Sequence, residues 1–242
     1  MASTNGFLSI LPRAASPALS RFRRSARLLS ALSAALSLIG CDQLHPFEQV
    51  CEKRLGPGSI SVTAPATDLR YDFTQSASAL TTRHDQTPGH IVQGLAEINL
   101  KTSVSVSGSG IVKPLSGRYC TRPEVQVTLA YRPLTVYIAK EQPPGSCAHE
   151  LTLSHEMKHV RSYERFIDEL AAKLDAELKT LLGDGIHYFA SAADGERELG
   201  DKINARAKAV IDGGMATLKQ RQALIDSPEE YGRIDAIQSK CN

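Results

Sequence analysis

The chain has 242 residues, of which 42% are hydrophobic and 22% are charged, so it is long enough for one domain with a substantial core. It contains no tryptophan and only 5% aromatic residues, which argues against a stacking surface for carbohydrate or nucleobases. The net charge of +2 misleads, because residues 1–40 hold five arginines and no acid. Residues 41–242 carry 23 Lys and Arg against 26 Asp and Glu, and such a mildly acidic body argues against nucleic acid as a partner.

The N-terminus has the layout of an export signal. A basic segment precedes a charge-free apolar run at residues 28–39, which is too short to span a bilayer as a helix. The run ends at Gly40 and Cys41. This ending resembles the bacterial lipobox, in which a small residue precedes a cysteine that is lipidated and becomes the mature N-terminus. The alternative is an ordinary N-terminal helix with a free cysteine.

We therefore expect residues 1–40 to be a lipoprotein signal peptide and Cys41 to carry a lipid. The protein would then be anchored in the bacterial cell envelope and face the periplasm. By resemblance to enterobacterial sorting, Asp42 favours retention at the inner membrane.

The cysteine count agrees with export. Setting Cys41 aside leaves Cys51, Cys120, Cys147 and Cys241, and an even number in an exported protein suggests two disulfides. Three pairings are possible, of which we favour Cys120 with Cys147 and Cys51 with Cys241. A zinc site made of the four thiolates is the alternative, but no CxxC spacing supports it.

The first half of the mature chain is predicted to be a tether followed by strands. Residues 41–57 contain Pro46 and lead into a Gly-Pro-Gly turn at 56–58, which is typical of a tether. Residues 58–141 alternate between apolar and polar side chains, and we expect a mostly antiparallel, half-buried sheet there. Its predicted strands are 59–63, 102–112, 125–129 and 134–138. Residues 90–100 fit either a short helix or another strand.

The second half of the chain is predicted to be helical. Between residues 151 and 181, apolar and histidine side chains recur at spacings of three and four, which predicts one helix of about 30 residues. A second helix is predicted at 190–211, ended by Gly213 and Gly214, and a short third one at 215–225.

Strands followed by a helical hairpin indicate the α+β class. We expect a single domain at 58–242, β-rich over 58–141 and helical over 146–242.

Residues 155–159 read His-Glu-Met-Lys-His, an HExxH motif inside the long predicted helix. Histidines four residues apart lie on one helix face, so His155 and His159 can both reach a single tetrahedral Zn²⁺. Glu156 can then act as general base toward the metal-activated water, and amide hydrolysis is the expected reaction. The alternative is a pair of core histidines satisfied by backbone or carboxylate partners.

The third protein ligand is left open by the sequence. The metzincin continuation of the motif is absent, and acids further along the same helix point away from the metal or lie too far from it. If the second helix folds back antiparallel, counting by equal rise places 207–214 opposite the motif, where Asp212 is the carboxylate available. Glu229 and Glu230, in the C-terminal segment, are the other candidates.

These features resemble a family of secreted bacterial proteins with zinc-dependent, protease-like domains of unknown function. The resemblance covers about residues 58–235. It depends on Cys120 ahead of a β-rich stretch, on the HExxH motif with Glu164 five residues later, and on residues 226–232.

In the family, the last of these segments ends Asp-x-x-Thr-x-His-Gly. Here Glu229 and Tyr231 stand at the Thr and His positions, and Gly232 matches. If the family histidine is a ligand, its replacement makes a neighbouring Glu or Asp212 the substitute.

The resemblance implies a zincin-like fold, bound Zn²⁺ and hydrolysis of peptide bonds. In zincins the strand before the motif helix is an edge strand that pairs with extended substrate, so residues 134–138 would present backbone groups to a peptide. From phenol chemistry alone, Tyr163 or Tyr231 is a candidate to hydrogen-bond the oxyanion.

Two other functions are open at this point. One is a catalytically inactive envelope lipoprotein that acts as a binding or assembly factor. The other is a purely structural lipoprotein with buried histidines and no zinc.

Overall fold

The fold is built around one long strand that is paired along both edges. The computed structural model describes residues 46–84 and 91–241; the expected signal peptide, Cys41 and Asp42 lie outside them. The strands are β1 Ser59–Thr63, β2 Leu69–Asp72, β3 Gly94–Ser107, β4 Gly110–Val112, β5 Tyr119–Thr121, β6 Glu124–Ile138 and β7 His187–Phe189. The helices are α1 Phe47–Arg54, α2 Ala77–His84, α3 Cys147–Leu182, α4 Ala192–Ile225 and α5 Pro228–Gln238.

The larger sheet is mixed, and the mostly antiparallel sheet that we expected does not form. Within the described residues, β1 and β2 pair in parallel with successive halves of one edge of β6, whereas β3 pairs antiparallel along its other edge. The predicted strands 125–129 and 134–138 are both parts of β6. Pro133 offers no N–H to the ladder, and the β3–β6 register shifts at this point, between Ile98 and Leu100.

The core lies between this sheet and the helical hairpin, which confirms the α+β class. α3 packs on the sheet and on α4. Its buried apolar side chains are Val160, Phe166, Ile167, Leu170, Ala171, Leu174, Leu178 and Leu182. They recur at the predicted helical period, because each must face either the sheet or α4.

α4 does not end at Gly213 and Gly214 as predicted but continues to Ile225. Gly214 is buried against α3, where a Cβ would lie only 2.8 Å from Leu170 Cδ1. Glycine therefore allows close helix packing here instead of ending the helix. The predicted short helix at 215–225 is the last part of α4.

The end of α4 is set by a Ser-Pro pair. Ser227 is extended (φ −72°, ψ 153°), as a residue before proline prefers to be, and Pro228 is the first residue of α5. The Ser227 hydroxyl also accepts a hydrogen bond from the Glu230 N–H. Asp226 is left at the corner between the two helices.

The C-terminal part of the expected tether belongs to the folded body. α1 buries Phe47 and Cys51, and Leu55 after it is also buried. No helix of the described ranges is both long and apolar enough to cross a membrane.

Two disulfides are present, but the pairing that we favoured is wrong. Cys51 pairs with Cys120, and Cys147 pairs with Cys241. The physical reason is that α1 packs against β5, whereas the C-terminus returns over α5 to the first residue of α3.

Candidate metal centre

His155, His159 and Asp226 meet at the corner between α4 and α5. The two histidine Nε2 atoms lie 3.3 Å apart. Asp226 Oδ1 lies 3.2 Å from His155 Nε2 and 3.0 Å from His159 Nε2. The three atoms form a nearly equilateral triangle on the buried side of α3.

This triangle has the size that a tetrahedral ion requires. Zn²⁺ binds nitrogen and oxygen at about 2.0–2.1 Å, and tetrahedral angles then separate the ligand atoms by about 3.3 Å. Two imidazoles and one carboxylate are also a donor set that zinc commonly takes, with the fourth position left for water.

The hydrogen-bond network also fits a cation. Gln222 Nε2 donates to Ser162 Oγ at 3.1 Å, and Gln222 Oε1 faces His159 Nδ1. His159 Nδ1 therefore carries a proton, and a neutral His159 directs the lone pair of Nε2 at the Asp226 carboxylate. Two facing lone pairs need a cation between them, which is either a proton or a metal ion.

The charge of the site follows from its burial and its partners. Burial opposes ionisation of Asp226, but hydrogen bonds with His155 and His159 hold its pKa well below the usual range. Burial likewise opposes protonation of His159, yet the hydrogen bond with Asp226 leaves the pKa of this histidine raised. The carboxylate is therefore anionic and stabilises a cation at the three donor atoms.

Glu156 lies beside the triangle and is 5% exposed. Burial raises the pKa of Glu156 to about 7, against the opposing attraction of the two histidines. The Ala96 N–H donates a hydrogen bond to this carboxylate. Gly94 approaches it closely, since a Cβ there would lie 2.5 Å from Glu156 Oε1. A carboxyl group with this pKa can accept and return a proton near neutral pH.

A cavity of about 450 Å³ covers the triangle and Glu156. Its walls come from the start of β3, from α3, from the end of α4 and from one face of α5. Both candidate oxyanion tyrosines line it. Tyr231 donates to Asp226 Oδ1 at 3.1 Å, and Tyr163 donates to the Ala96 carbonyl at 3.3 Å.

The structure does not bring the expected third ligands to the metal position. Asp212 pairs with Lys208 on the exposed side of α4, and Glu229 is exposed. Glu230 comes nearest, with its Oε1 3.6 Å from His155 Nδ1, but this places it behind the ring.

Glu230 forms ion pairs with two cationic side chains. Its carboxylate pairs with Arg233 and Lys158, and these partners, Arg233 foremost, lower its pKa to about 2. It lies behind His155 without a hydrogen bond to the ring and does not contact the metal position.

Asp226 was missed because the sequence count took Gly213 and Gly214 as the end of the helix. With α4 continuing, the first carboxylate to face the motif is the one at its C-terminal cap. The Ser-Pro pair at 227–228 was the available signal, since it predicts a helix end at this point.

The expected substrate strand is also corrected. Residues 134–138 lie in the middle of the sheet, paired with β2 on one side and β3 on the other. The strand whose outer edge borders the cavity is β3 at Gly94 and Ala96.

Comparison of the chain with protein-family models, curated proteins and solved structures finds no match. Its function is therefore inferred from the residues of the site.

Proposed function

We propose that this protein is a zinc-dependent metallopeptidase with a zincin-like site, held in the cell envelope by a lipid on Cys41 and facing the periplasm. His155, His159 and Asp226 would hold the metal. One observation supports this most: a ligand atom from each of these residues lies within 4.8 Å of the others, beside the buried carboxyl group of Glu156.

The residues of the chain divide the chemistry between them. Bound zinc would supply Lewis acidity, activating water and polarising the substrate carbonyl. Glu156 accepts the proton of the attacking water and returns it to the leaving amine. The Ala96 N–H keeps this carboxylate in place, and Tyr231 is near enough to the triangle to donate to the developing oxyanion.

The outer edge of β3 is the natural partner for an extended peptide. Gln93 directs its carbonyl toward β6, where it accepts from the Ala139 N–H at 2.8 Å. Because backbone groups alternate along a strand, Gly94 and Ala96 direct theirs away from β6 and toward the cavity. A peptide bound along this edge would enter the cavity that holds the three donor atoms.

One observation favours an inactive binding factor instead. The outward N–H and C=O of Ala96 are already hydrogen-bonded by Glu156 and Tyr163. A substrate must displace these contacts, whereas a protein that only binds at the cavity rim could leave them intact.

The metal centre is tested by elemental analysis of the purified full chain. We expect about one zinc per chain, lost in Asp226→Asn and His159→Ala. The matched controls Asp212→Asn and Glu229→Gln remove carboxylates that do not face the site and should keep zinc. Equal zinc in wild type and Asp226→Asn would refute the proposed centre.

Turnover is tested with a peptide library of mixed sequence, with cleavage products identified by mass spectrometry. Glu156→Gln should keep its zinc and lose turnover by about 10²–10⁴-fold. Unchanged cleavage in this variant would reject Glu156 as the base. Zinc with no cleavage by the wild type would favour the binding factor.

A further inference from the structure

The β4–β5 hairpin ends in a leucine held out into solvent. Its turn spans residues 113–118 and is closed by hydrogen bonds from the Lys113 N–H to the Arg118 carbonyl at 2.7 Å and from the Gly117 N–H to the Lys113 carbonyl at 3.1 Å. Leu115 at the tip is 103% exposed and has a φ of +68°. A non-glycine residue with a positive φ has a strained backbone. Holding the apolar side chain of Leu115 at this exposed position therefore costs free energy.

Leu115 lies in the turn sequence Lys-Pro-Leu-Ser-Gly-Arg, which holds two cations and no acid. Lys113 and Arg118 flank it in the turn, and Val112 at the end of β4 is also exposed. We call Val112, Lys113, Leu115 and Arg118 the hairpin tip. An exposed apolar side chain between cations is typical of surfaces that rest on anionic lipid headgroups.

The hairpin tip is fastened to α1, the element that follows the predicted lipid site. Cys120 in β5 is disulfide-bonded to Cys51 in α1. Arg118 lies 2.7 Å from the carboxylate of Glu48, and its guanidinium lies 5.3 Å from the ring centre of Phe47. The hairpin tip therefore lies at the end of the body where the chain enters it.

The length of the entering chain brings the predicted lipid close to this surface. Cys41 precedes Pro46 by five residues, so the two Cα atoms are separated by at most about 18 Å. A lipid on Cys41 would hold this end of the body near the bilayer, where even a weak contact is favoured by its high effective concentration.

We propose that the hairpin tip docks on the membrane in which the Cys41 lipid is inserted. Leu115 enters the interface and Lys113 lies among anionic phospholipid headgroups, while Arg118 stays paired with Glu48 beside them. This inference rests on the lipid anchor of the proposed function and is independent of the zinc chemistry.

The docked hairpin and the metal centre would be separated by most of the length of α3. β7 directly follows α3 and pairs with β5, so the hairpin lies near the C-terminal end of α3. His159 stands 23 residues before Leu182, which corresponds to about 35 Å along the helix axis. The docked hairpin and the cavity would then lie toward opposite ends of α3.

A second exposed leucine provides a matched control. Leu224 is 77% exposed and borders a groove with Lys158, Arg161, Arg165 and Arg221. It is therefore also an apolar side chain near cations, but it lies two residues before Asp226, at the metal-centre end of the molecule.

The test uses the absence of tryptophan from the sequence, so an introduced tryptophan is the only one and can be excited selectively over the tyrosines. Full chains carrying Leu115→Trp or Leu224→Trp are prepared with their lipid and reconstituted into vesicles of phosphatidylcholine and phosphatidylglycerol. We expect a blue-shifted emission that is quenched by brominated lipid for Leu115→Trp, and neither effect for Leu224→Trp. Adding Lys113→Gln to the Leu115→Trp chain should weaken docking about fivefold.

Each contrary outcome has a distinct meaning. A chain that floats with vesicles while its tryptophan at 115 stays water-like overturns the docking but not the anchor. A shift at 224 without one at 115 also overturns it, because the opposite end would then face the membrane. A chain that does not float with the vesicles refutes the anchor. That chain is then titrated with excess vesicles, and an unchanged emission of the tryptophan at 115 overturns the docking as well.

Discussion

Alanine at Gly214 should destabilise the contact between α3 and α4, while alanine at the neighbouring Gly213 should stabilise the protein. Both glycines lie within α4, so helix propensity favours alanine by about 0.8–1.0 kcal/mol at each position. A Cβ at Gly213 would meet no described heavy atom within 4 Å. A Cβ at Gly214 would lie 2.8 Å from Leu170 Cδ1 and 3.2 Å from Phe166 Cζ.

The propensity terms cancel when the two variants are compared, which isolates the packing term. Leu170 and Phe166 are both buried, so either must shift within the packed core to admit the new Cβ. Overpacking of this kind typically costs about 1–3 kcal/mol. We therefore expect Gly213→Ala to raise the free energy of unfolding by about 1 kcal/mol and Gly214→Ala to lie about 1–3 kcal/mol below it.

The same pair of variants reports on the metal centre. Gln222 follows Gly214 by eight residues, about two helical turns, so pushing α4 away from α3 also moves Gln222 and Asp226 away from His159. We expect zinc affinity to fall in Gly214→Ala only. The assays are denaturant unfolding in the presence of a chelator and competition for zinc with a chromophoric chelator. Equal stability and equal zinc affinity in the two variants would refute this account of the helix contact.

Three further changes should act on the site through different contacts. Gln222→Leu should weaken zinc binding by about 10–100-fold, because the Nδ1–H of His159 loses its acceptor; chelator competition measures this. Gly94→Ala should lower turnover at unchanged zinc content, because its Cβ would lie 2.5 Å from Oε1 of Glu156, the proposed general base. Replacing Cys147 and Cys241 with serine should release α5, none of whose described side chains is buried, and should speed amide hydrogen exchange across this helix.

Each of these changes has a control. Gln222→Glu keeps an oxygen acceptor for the ring and should retain zinc, and Gly185→Ala adds a Cβ with no described atom within 4 Å and should keep turnover. Serine at the buried Cys51 and Cys120 should instead lower global stability by about 4 kcal/mol, because that disulfide closes a loop of 69 residues. Unchanged exchange across α5 without its disulfide would show that other contacts hold the helix.

Local sequence patterns predicted the structural features that depend only on residues close together in the chain. Residues three and four apart share a helix face, so the long helix and the shared face of His155 and His159 could be read directly. Alternation in the same way predicted β1 and parts of β3 and β6, which was enough for the α+β class, but it did not predict β2 at Leu69–Asp72. The role of zinc at the two histidines stays a prediction until metal is measured.

Contacts between distant segments required the tertiary structure. Asp226 reaches the histidines because Gly214 lets α4 pass close to α3 and because the chain turns before Pro228. The Ser-Pro pair signals the turn locally, but the close approach of α4 to α3 at Gly214 is not visible to a pattern that extends over only a few residues. Tertiary packing also decided the disulfide pairing and the parallel pairing of β1 and β2 with β6. Sequence periodicity shows which face of an element is buried, but it does not show which other element packs on that face.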